Sequence, residues 1–350
     1  MQTVVRRPEA GQGVYVGLDI ARTKWVFNVR WGGQEQRRVS TPAGLEHLRA
    51  VLAAYAGSPI HLAYEACGFG YEIAWDLAAR GIAVTVVPPN TIARPPGARV
   101  KTDRLDARKL ATELEAGRLK RVRVPTRGDH VRRQLSRTYQ QALTDKKRAQ
   151  ARVRSLMQDH GYYGPRPAAG WRLYAQWVAA QPVAPCVRQC LDELVATRTA
   201  AAASAQRLKR AILAVAQEPA YQPVVQALST QGGVGPFTAI RLRLELGDIT
   251  AFRTAESFPN YLGLTPNEHS SGDRTQRGSI VKCGPRHVRG WLVQCAWIAV
   301  RTGSDPALQA CYERLAPHTG TKRAIIAVAR RLALRVRARW LEQLHVQEVV

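Results

Sequence analysis

Acidic residues are scarce in this sequence. Against 52 Lys and Arg stand only 26 Asp and Glu, giving a formal charge of +26 over 350 residues. A charge excess of this size argues for a polyanionic partner, nucleic acid before membrane. A coding bias toward Arg accounts for the Arg-to-Lys ratio but not for the net charge. Long apolar runs are also missing. No stretch approaches the roughly 18 residues of a membrane span, and the opening segment MQTVVRRPEAGQG holds no apolar core of signal-peptide length. A cytoplasmic protein with no membrane partner is expected. The six cysteines are scattered, and Cys186 and Cys190 lack a second pair or a nearby His. That spacing argues against zinc and for reduced thiols. No Ser, His and Asp are spaced as in a protease-like triad.

What is present begins with an alternation of strand and helix patterns over 14–120. Strands read at 14–20, 24–31 and 35–40, a helix at 42–56, a strand at 59–67, and a helix at 71–80 that stops at Gly81. A strand at 82–89 and a helix at 103–116 follow. Three strands, then helix, strand, helix, strand and helix, is the order of a ribonuclease-H-like α/β domain. Beyond it, Arg118 to Arg154 holds thirteen Lys or Arg and two acids, Asp129 and Asp145. This is too one-sided for a salt-bridged surface, and a nucleic-acid-facing helix is expected. A Gly, Pro and aromatic break at 160–177 interrupts the helical pattern, which resumes at 186–216. Two long helices flanking a break suggest an antiparallel arm or a coiled coil, although no clean heptad repeats. The last third opens with helix, Gly-rich turn and helix over 228–249. It closes with a basic amphipathic helix over 320–340. Ile325, Val328, Leu332 and Val336 form its apolar side, and Arg330, Arg331, Arg337 and Arg339 its polar side.

Within the apolar run VYVGLDI, Asp19 stands where another Val or Ile is expected. An unpaired buried carboxylate is costly, so it needs a partner. Glu65 ends the strand after the first helix, and the ribonuclease-H topology makes the two strands neighbours. Asp103 and Asp106, in KTDRLDARKL, share one helical face at i, i+3 spacing. Four hard carboxylates suit a divalent ion such as Mg²⁺, with phosphate oxygens completing its shell. Plainer readings stand beside this one: Asp103 can simply favour a helix start, and Glu65 can pair with a basic residue.

At these residues the sequence resembles a family. GLDIARTKWVFNV, YEACGFGY and KTDRLDARKL look like the three acidic motifs of the DEDD transposases of the insertion-sequence-110 family, which are related to Piv-type DNA invertases. TQGGVGPFTAIRLRLELGDITAF and the segment through EHSSGDRTQRGSIVKCGPRHVRGW resemble that family's second transposase region. The resemblance implies a RuvC-like domain at 1–125, a helical or coiled-coil region at 126–222, and a mainly helical C-terminal transposase domain at 223–350. It implies that Asp19, Glu65, Asp103 and Asp106 are the metal positions, with Mg²⁺ as cofactor and Mn²⁺ as a substitute. Ser271 matches the family's nucleophilic serine. The implied activity is RNA-guided transposition: a bridge RNA pairs with donor and target DNA, and strands are joined through a covalent phosphoserine. Dimers meet as a tetramer, in the cytoplasm of a bacterium and on its nucleoid.

Beside the resemblance, a serine hydroxyl is a poor nucleophile and needs activation. His269, two residues before Ser271, reads as a loop residue or phosphate contact, so activation by a metal at the acidic site is the better expectation. GGVGP suggests a helix-hairpin-helix-like motif in which Gly233 and Gly235 let backbone approach phosphate, or a plain connecting turn. Lys101, Arg277, Lys282, Arg286, His287 and Arg289 are expected nucleic-acid contacts. Two rival readings remain: a Holliday-junction-resolving metal nuclease that activates water, with Ser271 inert, and a non-catalytic nucleic-acid-binding protein.

Overall fold

The computed structural model describes residues 7–89, 103–164, 170–268, 277–281 and 283–349. The chain forms two compact units, Met1–Arg127 and Gly128–Val350. The first is a mixed α/β unit and the second is mostly helical, which is the coarse class the sequence pattern predicts.

The first unit is built on a five-stranded sheet ordered β3-β2-β1-β4-β5. Its strands are β1 (Val14–Ile20), β2 (Lys24–Trp31), β3 (Gln34–Pro42), β4 (Ile60–Glu65) and β5 (Ala83–Val87). The first three pair antiparallel, while β4 lies parallel to β1 and β5 parallel to β4. Alternation along the strands gives the sheet two faces. On one, Val16, Leu18, Phe27, Val29, Leu62 and Tyr64 pack against α1 (Leu45–Ala53) and α2 (Tyr71–Ala78) through Leu48, Leu52, Ile73 and Leu77.

The other face takes α3 (Asp103–Glu115), which packs on β1, β2 and β4. The strands present small side chains there. Gly17 pairs with Asn28 on one side and Ala63 on the other, and Ala63 packs with Val87 and Leu110. A Cβ added at Gly17 would collide with the Ala107 carbonyl oxygen and lie 2.5 Å from the Ala111 nitrogen. The helix backbone therefore rests on the strand backbone. Its far end is fixed by Glu115, which accepts from Arg30 Nε at 3.0 Å and from the Gly33 N–H at 2.7 Å. Gly17→Ala is expected to destabilise this unit by about 3 kcal/mol, the upper range for overpacking, because the obstacle is backbone. Urea unfolding followed by tryptophan fluorescence measures it; an unchanged first transition would contradict this seating of α3.

In the second unit, α4 (Arg127–Asp159) and α6 (Pro185–Val215) run between two apolar clusters. Leu135 and Tyr139 of α4 and Ile212 and Val215 of α6 join the large C-terminal core. Val153 and Met157 of α4 and Leu191 of α6 meet in a small one. The two helices are thus antiparallel. The break expected at 160–177 contains a helix, α5 (Trp171–Ala179). Tyr174 and Val178 lie one turn apart and are buried in the small cluster. That burial holds a segment helical although Gly and Pro precede it.

The large core gathers α7 (Gln222–Ser229), α8 (Pro236–Leu246), α9 (Ser257–Tyr261), α10 (Arg286–Thr302), α11 (Pro306–Thr319) and α12 (Thr321–Val349). A two-stranded pair, β6 (Pro266–Glu268) and β7 (Arg277–Ile280), precedes α10. On α12 the four predicted apolar residues are all buried. Three of its four predicted polar-side arginines have partners elsewhere in the fold: Arg330 pairs with Glu256, Arg337 donates to the Phe252 carbonyl and Arg339 to Thr230 Oγ1. No described helix is long and apolar enough to cross a membrane.

Candidate active site

The register places the first two acids. The last paired residues of β1 and β4 are Leu18 and Tyr64, so Asp19 and Glu65 are the next residues on adjacent parallel strands. Asp19 lies two residues after Gly17, and Glu65 two after Ala63. Both therefore belong to the sheet face that carries α3. Each is half-buried.

The helix brings the other two toward the same end. Glu115, at the C-terminus of α3, bonds to the hairpin at Arg30 and Gly33, and Arg30 pairs with Tyr15 near the start of β1. Ala107 lies over Gly17. The helix thus runs opposite to β1, and its N-terminal turn points toward the strand end bearing Asp19. Asp19 lies about 7 Å beyond Gly17 along the strand. Asp103 lies about 6 Å beyond Ala107 along the helix, with Asp106 between. Asp106 is half-buried, and the Asp103 side chain is outside the described set.

Among the described residues, no three His, Cys, Asp or Glu side chains are gathered closely enough to hold a metal ion. The fold aligns Asp19 with Glu65 and aims the start of α3 at them. The donor chemistry fits a hard divalent cation: carboxylate oxygens only, without thiol or imidazole. Sequence reasoning missed Asn28, which is fully buried on this same face opposite Gly17. A lone amide in the apolar run WVFNV was the available signal.

In the second unit, β6 and β7 pair antiparallel, with Pro266 opposite Ile280 and Glu268 opposite Arg277. The segment 269–276, which connects them, carries His269 and Ser271 and lies outside the described residues, as do Lys101 and Lys282. Arg277 opens β7, and Arg286 is exposed at the start of α10.

Arg289 is not an outward nucleic-acid contact. It is buried, and its Nη1 donates to the carbonyls of Leu262 and Cys283 at 2.8 Å each. Its guanidinium ties the turn after α9 to the segment leading into α10. His287 also faces inward, with Nε2 3.5 Å from Glu245. Burial raises the Glu245 carboxyl, but hydrogen bonds from His287 and Arg137 outweigh it and hold the group below the ordinary glutamate range. Gly233 owes its identity to packing: at φ 84° an added Cβ would strike the Cys295 carbonyl on α10. Gly235 is exposed, caps α8 and has open space where a Cβ would project. It remains available for backbone approach by a ligand.

Two family models match the chain. One, for a transposase of the IS110 DEDD type, covers residues 16–161 and so spans all four acids. The other, described as Transposase IS116/IS110/IS902 family, covers residues 225–313 and spans Ser271. A putative transposase of Sinorhizobium fredii is 30% identical over 294 residues, covering 81% of this chain and 71% of the relative. The chain belongs to the IS110 family of transposases. It is therefore an enzyme of insertion-sequence transposition, whose substrate is DNA that it cleaves and recombines. A probable family 20 transposase of Pseudomonas aeruginosa is 28% identical over 294 residues, covering 82% of this chain and 84% of that one. A pilin gene-inverting protein of Moraxella bovis is 34% identical over 107 residues, 30% of this chain and 33% of that one. The relatives of this chain thus include, beside transposases, a protein named for inverting a gene segment.

Proposed function

We propose that this IS110 transposase joins donor and target DNA through a covalent phosphoserine on Ser271, guided by a bridge RNA. The observation that carries the reading is the alignment of Asp19 with Glu65 on adjacent parallel strand ends, with the acidic turn of α3 directed toward them. The strand order and the single helix laid over β1 support a RuvC-like assignment for residues 1–125. The helical region 126–222 and the serine-bearing region 223–350 complete the reading.

Asp19, Glu65, Asp103 and Asp106 would hold Mg²⁺, or Mn²⁺ in its place. When bound there, the ion supplies Lewis-acid stabilisation of charge on phosphate and oxygen. The chain's own chemistry is carried by the serine. Ser271 Oγ forms an ester to phosphorus as one P–O bond of the DNA breaks. The serine gives up its proton, and the departing oxygen leaves as a hydroxyl. A DNA hydroxyl later attacks the same phosphorus and expels the serine, restoring a phosphodiester without an external energy source. The acids and the serine lie on separate units, so this chemistry requires them to meet within one chain or between subunits. A dimer pairing into a tetramer would supply that meeting and hold four strand ends together.

Arg286, Gly235, Arg277, Lys282 and Lys101 are the proposed contacts to nucleic acid, and exposed Lys147, Arg148, Arg152 and Arg154 of α4 add a basic face. Affinity for duplex DNA is expected to fall steeply with salt. Each neutralised phosphate contributes about −0.9 to the slope of log K against log salt, and about −0.7 for single strands. Fluorescence anisotropy across a salt series measures the slope, and a flat line would contradict phosphate-dominated binding. Sequencing the RNA that co-purifies with the protein, alongside the DNA flanking its gene, tests the guide. An RNA complementary to neither flank nor target would refute it.

A further inference from the structure

Beside the β6–β7 pair lies a groove of about 800 Å³, walled by β7, the end of α11 and the first half of α12. Its lining has two chemistries. Leu264, Ile280, Leu315, Ile326 and Leu334 give it an apolar floor. Arg314, Lys322, Arg323 and Arg331 stand exposed around it. Glu256, the one acid among the described lining residues, is paired with Arg330. The groove thus presents a positive rim over a surface that water solvates poorly.

Chain length ties the groove to the proposed nucleophile. Ser271 follows Pro266, the residue of β6 on the groove wall, by five positions. Five residues span at most about 18 Å. The strands that pair through Pro266 and Ile280 also contribute both residues to the groove wall.

We infer that this groove holds an unpaired DNA nucleotide flanking the scissile phosphate, its base against the apolar floor and its phosphates against the basic rim. The inference rests on Ser271 being the nucleophile. Charge complementarity selects a polyanion. The apolar floor selects among polyanions. A duplex turns its phosphates outward and keeps its base faces stacked, so it leaves the floor uncovered. An unpaired nucleotide offers an apolar face and a phosphate together, and Arg side chains add cation–π contact to a base. Transposition needs such a state, since a strand being exchanged must leave its partner.

The test compares a fluorescent thymidine pentamer with an abasic pentamer carrying the same phosphates, using full-length protein at fixed ionic strength. The wild type is expected to bind the thymidine pentamer roughly fivefold tighter or more. Ile326→Ser, which removes floor, and Ala327→Trp, which fills the groove, should each erase that ratio while leaving abasic affinity unchanged. The paired exposed changes Lys322→Ala and Arg323→Ala should weaken both pentamers alike. Thermal melts establish that each variant folds, and Ala327→Trp serves if Ile326→Ser does not. Equal wild-type affinity for the two pentamers would overturn the inference. So would a ratio that survives in Ala327→Trp, or a DNA duplex that competes with the same floor sensitivity. A uridine pentamer bound more tightly, with that sensitivity, would make this an RNA site and overturn the DNA assignment. Ser271→Ala should leave the pentamer ratio intact, because binding does not use the nucleophile. Active wild-type protein that forms no protein–DNA adduct but shows the ratio would therefore count against the phosphoserine alone, and an adduct without the ratio against the groove alone.

Discussion

Asp19→Asn is expected to abolish strand cleavage while leaving the fold and nucleic-acid affinity in place. The substitution keeps the shape of the side chain and removes its charge. Asp19 sits at the end of a paired strand, half-buried, with its neighbours already fixed by the register to β2 and β4. A carboxylate that binds a divalent cation contributes to every step in which charge builds on phosphate. Losing several kcal/mol of transition-state stabilisation corresponds to about a thousandfold in rate. Excision is measured in cells carrying the gene with its flanking DNA, and binding and melting are measured on purified protein. An Asn variant that excises at the wild-type rate would remove Asp19 from the site. A variant that melts well below the wild type would assign Asp19 a structural role instead.

Ser271→Ala is expected to eliminate the proposed covalent protein–DNA species and recombination, with RNA and DNA binding unchanged. Ser270→Ala is expected to retain recombination. The two serines are adjacent, so replacing them one at a time distinguishes them, and the glycine that follows Ser271 in the sequence favours Ser271 as the nucleophile. Removing the attacking atom leaves no route to the ester, so the loss should reach the detection limit rather than a partial defect. Denaturing gels of reactions with labelled DNA show the adduct, and peptide mapping locates it. A DNA-linked peptide centred on Ser270 or Ser279 would move the nucleophile. Active protein with no adduct at any time would favour a water-activating nuclease, for which the same four acids suffice.

The first unit was readable because its periods are clean. Alternation in β1 and β2, the cap at Gly81 and the three acidic motifs predict strands and helices within a few residues of those observed. The second unit was less readable where local signals were weak. α5 follows Gly and Pro, and only the burial of Tyr174 and Val178 against α4 and α6 explains it. Arg289 and His287 looked like contacts because they sit in a basic run. Sequence pattern does not show which way a side chain turns at the start of α10, and these two turn inward, to the carbonyls of Leu262 and Cys283 and to Glu245.

By itself the sequence determined the charge and the order of the elements, which depend on composition and period along one chain, and the resemblance of its motifs pointed to the family and to the candidate acids and serine. Tertiary structure alone decided the register that sets Asp19 beside Glu65, and the direction of α3, whose N-terminal end points toward that strand end. It also decided that Gly17 and Gly233 are glycines for packing against α3 and α10. Those outcomes depend on contacts between residues tens of positions apart, where backbone sterics and burial act only once the chain has closed on itself.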